Sequence, residues 1–219
     1  MPEDSPRLYL ILPAQPDPDA LPGLLKAAME AGDVACLLAD TGSLPAKDAE
    51  RIVAVCRPLC ARYETALLVC NAGLAKLPGV DGVHVSGRAG DIENLVSDAV
   101  KKFKPGLIVG AAGLRSRHDA MSAGEYDIDY VMFGEPAPDG YVQPFEQIEE
   151  RTAWWAEIFN VPCVAYAPAI LEVAPLTTAG ADFIALRDAV WNDPRGPAAA
   201  IADVMLAIRN APVPDGARA

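Results

Sequence analysis

His84, Arg88, Arg115, Glu135, Tyr166 and Arg187 are the side chains of this sequence whose types could do chemistry, and Asn71 and Gly113 join them by position. An imidazole gives or takes a proton near neutral pH, and planar guanidinium groups grip phosphate or carboxylate oxygens two at a time. A glutamate can hold a cation or move a proton, and an asparagine can hydrogen-bond a ligand. The spacing adds to the types, because each residue lies within or just behind a short apolar run. His84 sits in Asp81-Gly82-Val83-His84-Val85 with Arg88 four positions on, and Gly113 and Arg115 follow Leu107 to Ala111. Glu135 follows Tyr130 to Phe133, Tyr166 lies within Pro162 to Ala167, and Arg187-Asp188 follows Phe183 to Leu186. Plainer readings stand beside these. A histidine inside a strand is often a hydrogen-bonded core residue, and Asn71 suits a turn as well as a ligand. Loop arginines at 88 and 115 are at home in solvent, Arg187 can satisfy itself on Asp188, and Glu135 and Asp139 lack an established third metal ligand.

The elements that must position these residues repeat. Asp81, Asp129 and Asp182 each close a polar turn and introduce a mostly apolar run, the pattern of a buried parallel strand emerging from a helix-to-strand loop. Eight such runs are predicted: Arg7 to Leu12, Val34 to Ala39, Thr65 to Cys70, Gly82 to Val85, Leu107 to Ala111, Tyr130 to Phe133, Pro162 to Ala167 and Phe183 to Leu186. Helix-period segments alternate with them: Pro22 to Ala31, Pro45 to Arg62 with Pro58 expected to kink it or start its last turn, a short turn at Leu74 to Leu77, Ile92 to Phe103, Arg117 to Glu125, Phe145 to Phe159, Ile170 to Ala179 and Pro197 to Arg209. Eight βα units in just over 200 residues predict an α/β fold, a (β/α)8 TIM barrel spanning 1–219 as one domain. The glycine-rich first turn of a dinucleotide-binding sheet is missing from Ile11-Leu12-Pro13-Ala14-Gln15-Pro16. In a barrel the candidate residues, all at strand ends, would meet at one mouth.

Composition narrows the classes. A net charge of −12 argues against nucleic-acid and anionic-membrane surfaces, and no apolar stretch approaches the roughly 20 residues of a membrane span. A cytoplasmic protein is expected. Five cysteines, an odd number and mostly in apolar surroundings, read as reduced core thiols. Trp154 and Trp155 are adjacent on a predicted helix, so only one of them can face the core.

Taken together, Leu8-Tyr9-Leu10-Ile11, Cys70-Asn71-Ala72-Gly73-Leu74-Ala75, Asp81 to Val85, Asp129 to Pro136, Ile158 to Ala165 and Ala179 to Ala185 resemble thiamine phosphate synthase and the thiazole tautomerases of the TenI type, in order and over nearly the whole chain. The resemblance implies a TIM barrel that joins hydroxymethylpyrimidine diphosphate to a thiazole phosphate with Mg²⁺, releases diphosphate and forms a homodimer. It also implies a phosphate site behind strand seven, while barrel geometry makes Arg187, behind strand eight, the other phosphate position.

The match thins at the motif positions. Where the family has glutamine, arginine and lysine, Cys36 to Asp40 stand, and Ala72 replaces the aspartate that follows Asn71. Behind His84 comes Arg88-Ala89-Gly90, with Asp91 two positions late for the second metal-binding carboxylate. Ala112-Gly113-Leu114-Arg115 replaces a hydroxyl cluster, Gly140 to Glu150 contains no basic residue, and Tyr166-Ala167-Pro168 replaces a double glycine. Pro168 also lacks the N–H that a phosphate site would use. Three functions therefore stay in view: synthase chemistry with relocated ligands, a tautomerase-type reaction on a small phosphorylated heterocycle with His84 as base, and a non-catalytic ligand- or partner-binding family member.

Overall fold

The computed structural model describes residues 5–42, 44–87, 91–136 and 140–212. Eight parallel strands close into a barrel, each paired with its sequence neighbours and β8 paired back onto β1. They are β1 (Arg7–Ile11), β2 (Val34–Ala39), β3 (Ala66–Val69), β4 (Gly82–Ser86), β5 (Ile108–Ala112), β6 (Tyr130–Phe133), β7 (Cys163–Tyr166) and β8 (Phe183–Leu186). The helices are α1 (Leu21–Ala31), α2 (Ala46–Arg62), α3 (Ile92–Phe103), α4 (Arg117–Gly124), α5 (Phe145–Ile158), α6 (Val173–Thr178), α7 (Asp188–Trp191) and α8 (Pro197–Asn210). The predicted (β/α)8 barrel is thus the fold, with strand limits displaced by one residue at most.

Pro58 lies inside α2, near its C-terminal end. Two local differences have physical causes. The segment at Ile170 opens as a 3-10 turn, Ile170–Glu172, because the Glu172 carboxylate folds back onto the Ala169 N–H at 2.8 Å before α6 begins. The four residues of α7 went unforeseen, since Asp188-Ala189-Val190-Trp191 is too short to show a helical period. Between β3 and β4 a 3-10 turn, Leu74–Lys76, stands where the other units carry a helix.

Alternation along the strands separates two cores. Outward residues such as Leu8, Leu10, Leu37, Leu67, Val109 and Val131 pack under the helices. Inward residues, among them Tyr9, Cys36, Leu68, Tyr130, Met132, Val164 and Ala185, fill the barrel. Trp155 is fully buried and stacks on Phe159 with ring centroids 4.0 Å apart, whereas the ring of Trp154 is only partly covered and lies under the Arg117 guanidinium, as the adjacent pair required.

The three aspartates that mark the strand starts act as one repeated clamp. Asp81, Asp129 and Asp182 each donate a backbone N–H to a carbonyl of the preceding strand, at Leu67, Val109 and Cys163. Each carboxylate also accepts the N–H of that same residue, at 2.8, 2.7 and 2.8 Å. Two bonds per junction fix the register of β3 with β4, β5 with β6 and β7 with β8. Removing such a carboxylate strands a strand-end N–H and a charge-assisted bond, so Asp182→Ala should lower unfolding stability by about 2 kcal/mol in urea melts while Asp182→Asn retains about half of that. A cost within experimental error would contradict the clamp.

Candidate functional site

The carboxyl ends of the strands open on a cavity of about 690 Å³ whose lining includes Asp40, Cys70, His84, Ser86, Glu135 and Arg187. An arm of it reaches outward along β4 beneath α3, past Val85, Leu95 and Phe103. A separate hollow of about 800 Å³, bordered by Arg57, Glu64 and Asp81, lies at the opposite, strand-start end. In barrels that end serves stability, so the site is placed at the mouth.

His84 does not stand free at a strand end. It points inward from the middle of β4, 3% exposed, and its Nδ1 lies 2.7 Å from the Tyr130 hydroxyl. The Tyr130 hydroxyl is in turn 2.8 Å from that of Tyr9, which is 3.5 Å from His84 Nδ1. The local sequence makes room for this. His84 pairs with Gly110 and Gly110 with Tyr130 across three adjacent strands, and a Cβ at Gly110 would fall 1.9 Å from Tyr130 Cζ. A glycine lets the tyrosine ring cross β5 and lie nearly parallel to the imidazole, with centroids 5.9 Å apart. Burial pushes His84 down to about 4, partly opposed by the Asp40 charge, so the ring is neutral at pH 7.

Glu135 is the titratable group best placed for chemistry. Its Oε1 accepts the Gly113 N–H at 2.8 Å and the Ser86 hydroxyl at 3.4 Å, drawing on β4 and on the loops behind β5 and β6. Gly113 can turn its N–H inward because its φ is +75°, and a Cβ there would meet the Gly87 carbonyl at 2.5 Å. Burial raises Glu135 to about 7, and the hydrogen bonds and the Arg115 charge limit the rise. A carboxyl that titrates at neutral pH beside a cavity can act as acid or base.

The remaining candidates divide. Arg187 lines the cavity at the end of β8, with only 18% of its side chain exposed, and pairs with Asp188 at 3.4 Å. Tyr166 lies inside the barrel, where burial raises its hydroxyl and the Arg187 charge opposes the rise. Arg115 is held through its backbone, since the Arg151 guanidinium donates to the carbonyls of Leu114 and Arg115, and its own guanidinium covers the Tyr141 ring at 4.5 Å. Asn71 is exposed, and its Oδ1 accepts the Gly73 N–H at 2.7 Å, the turn-forming alternative. Arg88 and Asp139 lie outside the described residues. Strand-end reasoning missed Tyr9, in the middle of β1, and Tyr130, the first residue of β6. The usable signal was two tyrosines at inward positions with a glycine, Gly110, on an intervening strand.

The Mg²⁺ implied by the resemblance would neutralise a departing diphosphate. Among the described residues no group of three or more His, Cys, Asp and Glu side chains gathers around a common point, and Glu135 is already engaged by two donors. Mg²⁺ on a diphosphate is usually held by one or two carboxylates and the phosphate oxygens, and Asp40 and Glu135 both line the mouth, where they would hold it. The mouth also offers proton-transfer groups and the charges of Arg187 and Arg115.

Comparison with known proteins completes the picture. The family described as "Thiamine monophosphate synthase" matches residues 8–190. A thiamine-phosphate synthase of Rhodospirillum centenum is 42% identical over 200 residues, covering 90% of this chain and 95% of that one. Another of that name from Hyphomonas neptunium is 35% identical over 208 residues, covering 91% and 92%. Among solved structures, a thiamine phosphate pyrophosphorylase from Pyrococcus furiosus superposes with a TM-score of 0.74 at 21% identity, covering 95% of this chain and 98% of that one, which supports the fold. The chain belongs to the thiamine monophosphate synthase family and is a thiamine-phosphate synthase-like protein of thiamine biosynthesis.

Proposed function

We propose that the barrel mouth binds a small phosphorylated heterocycle of thiamine biosynthesis and couples it, synthase-fashion, to hydroxymethylpyrimidine diphosphate. The thiazole nitrogen would attack the pyrimidine methylene carbon as the carbon–oxygen bond to diphosphate breaks. The similarity to thiamine-phosphate synthases over nine-tenths of the chain carries this reading. The mouth cavity is in the size range of small-molecule sites, and Arg187 supplies a guanidinium at its lip. A carboxyl near half-protonation is also compatible with polyanions, because a neutral Glu135 removes one negative charge from the rim.

One observation favours a second reading. Glu135 is poised for proton transfer at the cavity, which suits a tautomerase-type reaction on a thiazole phosphate. Glu135, rather than His84, is then the base: it takes a ring-adjacent proton and returns it to the other end of the conjugated system. His84 is neutral but bonded through Nδ1 and titrates far below pH 7.

The two readings separate in one pair of assays. Coupling predicts formation of thiamine phosphate and diphosphate from both substrates, followed with and without Mg²⁺. Tautomerisation predicts deuterium exchange into thiazole phosphate alone in heavy water, with no diphosphate released. Silence in both assays alongside a ligand-induced thermal shift would leave a binding protein, and silence in all three would end the proposal. Among the described residues no helix is long and apolar enough to cross a membrane, and the five cysteines are free thiols, which is compatible with the proposed reducing cytoplasm. The proposed homodimer is checked by the mass of the chain in solution.

A further inference from the structure

We infer that Tyr9 and Tyr130 are positioning residues that lock His84 in one tautomer, with Nδ1 as acceptor, so that its Nε2–H donates into the mouth cavity toward an acceptor atom of the bound heterocycle. The inference rests on the proposed ligand at the mouth and adds to it the role of the buried ring.

The argument is one of hydrogen-bond satisfaction. Three polar groups, Tyr9 Oη, Tyr130 Oη and His84 Nδ1, meet inside an otherwise apolar barrel. The chain can run in two directions. In the first, the Tyr9 O–H donates to Tyr130 and the Tyr130 O–H to Nδ1. Every strong donor in the core then faces an oxygen or nitrogen acceptor. In the second, Nδ1–H donates to Tyr130 and Tyr130 to Tyr9, which leaves the Tyr9 O–H without an acceptor in the cluster. A buried hydroxyl without a proper acceptor is disfavoured, so the first direction prevails.

Its consequence falls on the other ring nitrogen. Nε2 has no protein partner among the described residues, it is not among the sealed-off polar atoms, and the ring lines the cavity. An N–H aimed into a cavity asks for an acceptor such as a ring nitrogen or a phosphate oxygen. The ring stays neutral as a donor, because burial disfavours its cation.

Imidazole ¹⁵N NMR on the full chain without ligand tests the lock, with His118→Gln removing the other histidine. The expected spectrum shows His84 Nδ1 as an unprotonated and Nε2 as a protonated nitrogen, and Tyr130→Phe should convert it to a mixture of tautomers. Wild-type Nδ1 in the protonated range would overturn the inference, as would a Tyr130→Phe spectrum that keeps the wild-type pattern. Tyr9→Phe, which leaves Tyr130 free to donate either way, should give an intermediate pattern, and it covers the case in which Tyr130→Phe fails to fold. Titration with thiazole phosphate tests the donor role: affinity should fall about tenfold in Tyr130→Phe, measured at a temperature at which the variant is folded. Unchanged affinity would refute that role. A wild-type chain that binds no thiazole phosphate would refute it together with the ligand assignment, while the spectrum would still decide the lock.

Discussion

Gly110→Ala should destabilise the barrel by about 3 kcal/mol or more, enough to leave much of the chain unfolded in mild denaturant. The new methyl would fall 1.9, 2.2 and 2.4 Å from Tyr130 Cζ, Cε1 and Oη, so the ring must leave its place. Overpacking of this sort costs about 1–3 kcal/mol by itself. Displacing Tyr130 also strips His84 Nδ1 and the Tyr9 hydroxyl of their partners in the core, at about 1–3 kcal/mol for each unpaired group. Tyr130→Ala in the same background should recover part of the loss, because it removes the colliding ring but not the unpaired groups. Guanidinium denaturation of the two variants checks this, and a single variant within about 1 kcal/mol of the parent would show that the barrel can shift to admit the methyl.

That position also shows which parts of the molecule the sequence disclosed. Runs such as Tyr130 to Phe133 and Phe183 to Leu186 announce themselves locally, through apolar content and an aspartate at the turn, and their limits agree with the strands. The aspartates were legible as markers but not as clamps, since each bonds a strand 14 to 20 residues earlier. The Tyr9, Tyr130 and His84 contact spans 121 positions and depends on barrel closure, which fixes who faces whom across the interior. Glu135 behaves similarly. Its proton affinity is set by an N–H at Gly113 and a hydroxyl at Ser86, neither of them its sequence neighbour, so inspection of Glu135-Pro136 gives a carboxylate but not its state. Asn71 went the plain way for a local reason, because Gly73 lies within reach of a side chain two residues back.

Glu135→Gln is expected to produce two large and opposite effects. If the mouth transfers a proton through this carboxyl, the amide abolishes the transfer and the rate should fall about 10²–10⁴-fold, while binding of phosphorylated ligand is kept or strengthened by the loss of a negative charge. Coupling that needs no such proton should fall only a few-fold, so the variant also separates the two functional readings. The effect on stability runs the other way and depends on pH. Glu135 is raised from 4.5 to about 7, so the folded chain holds a proton that the unfolded chain releases. This contribution is complete below about 4.5 and is lost as pH rises through about 7, amounting to at most about 3 kcal/mol, less what solvent at the cavity screens. His84, lowered from 6.5 to about 4, has the reverse dependence: its contribution is present above about 6.5 and disappears as pH falls toward 4. The two windows overlap and their slopes oppose each other, so the parent chain should show a nearly flat stability between about pH 4.5 and 6.5 from this pair. Glutamine at 135 removes one slope. The variant should gain up to about 3 kcal/mol near pH 8, match the parent near pH 4, and lose stability steeply with acid in between as His84 titrates alone. Urea melts across that range provide the measurement, and a variant curve parallel to that of the parent would mean that Glu135 titrates in the folded chain as an ordinary carboxylate.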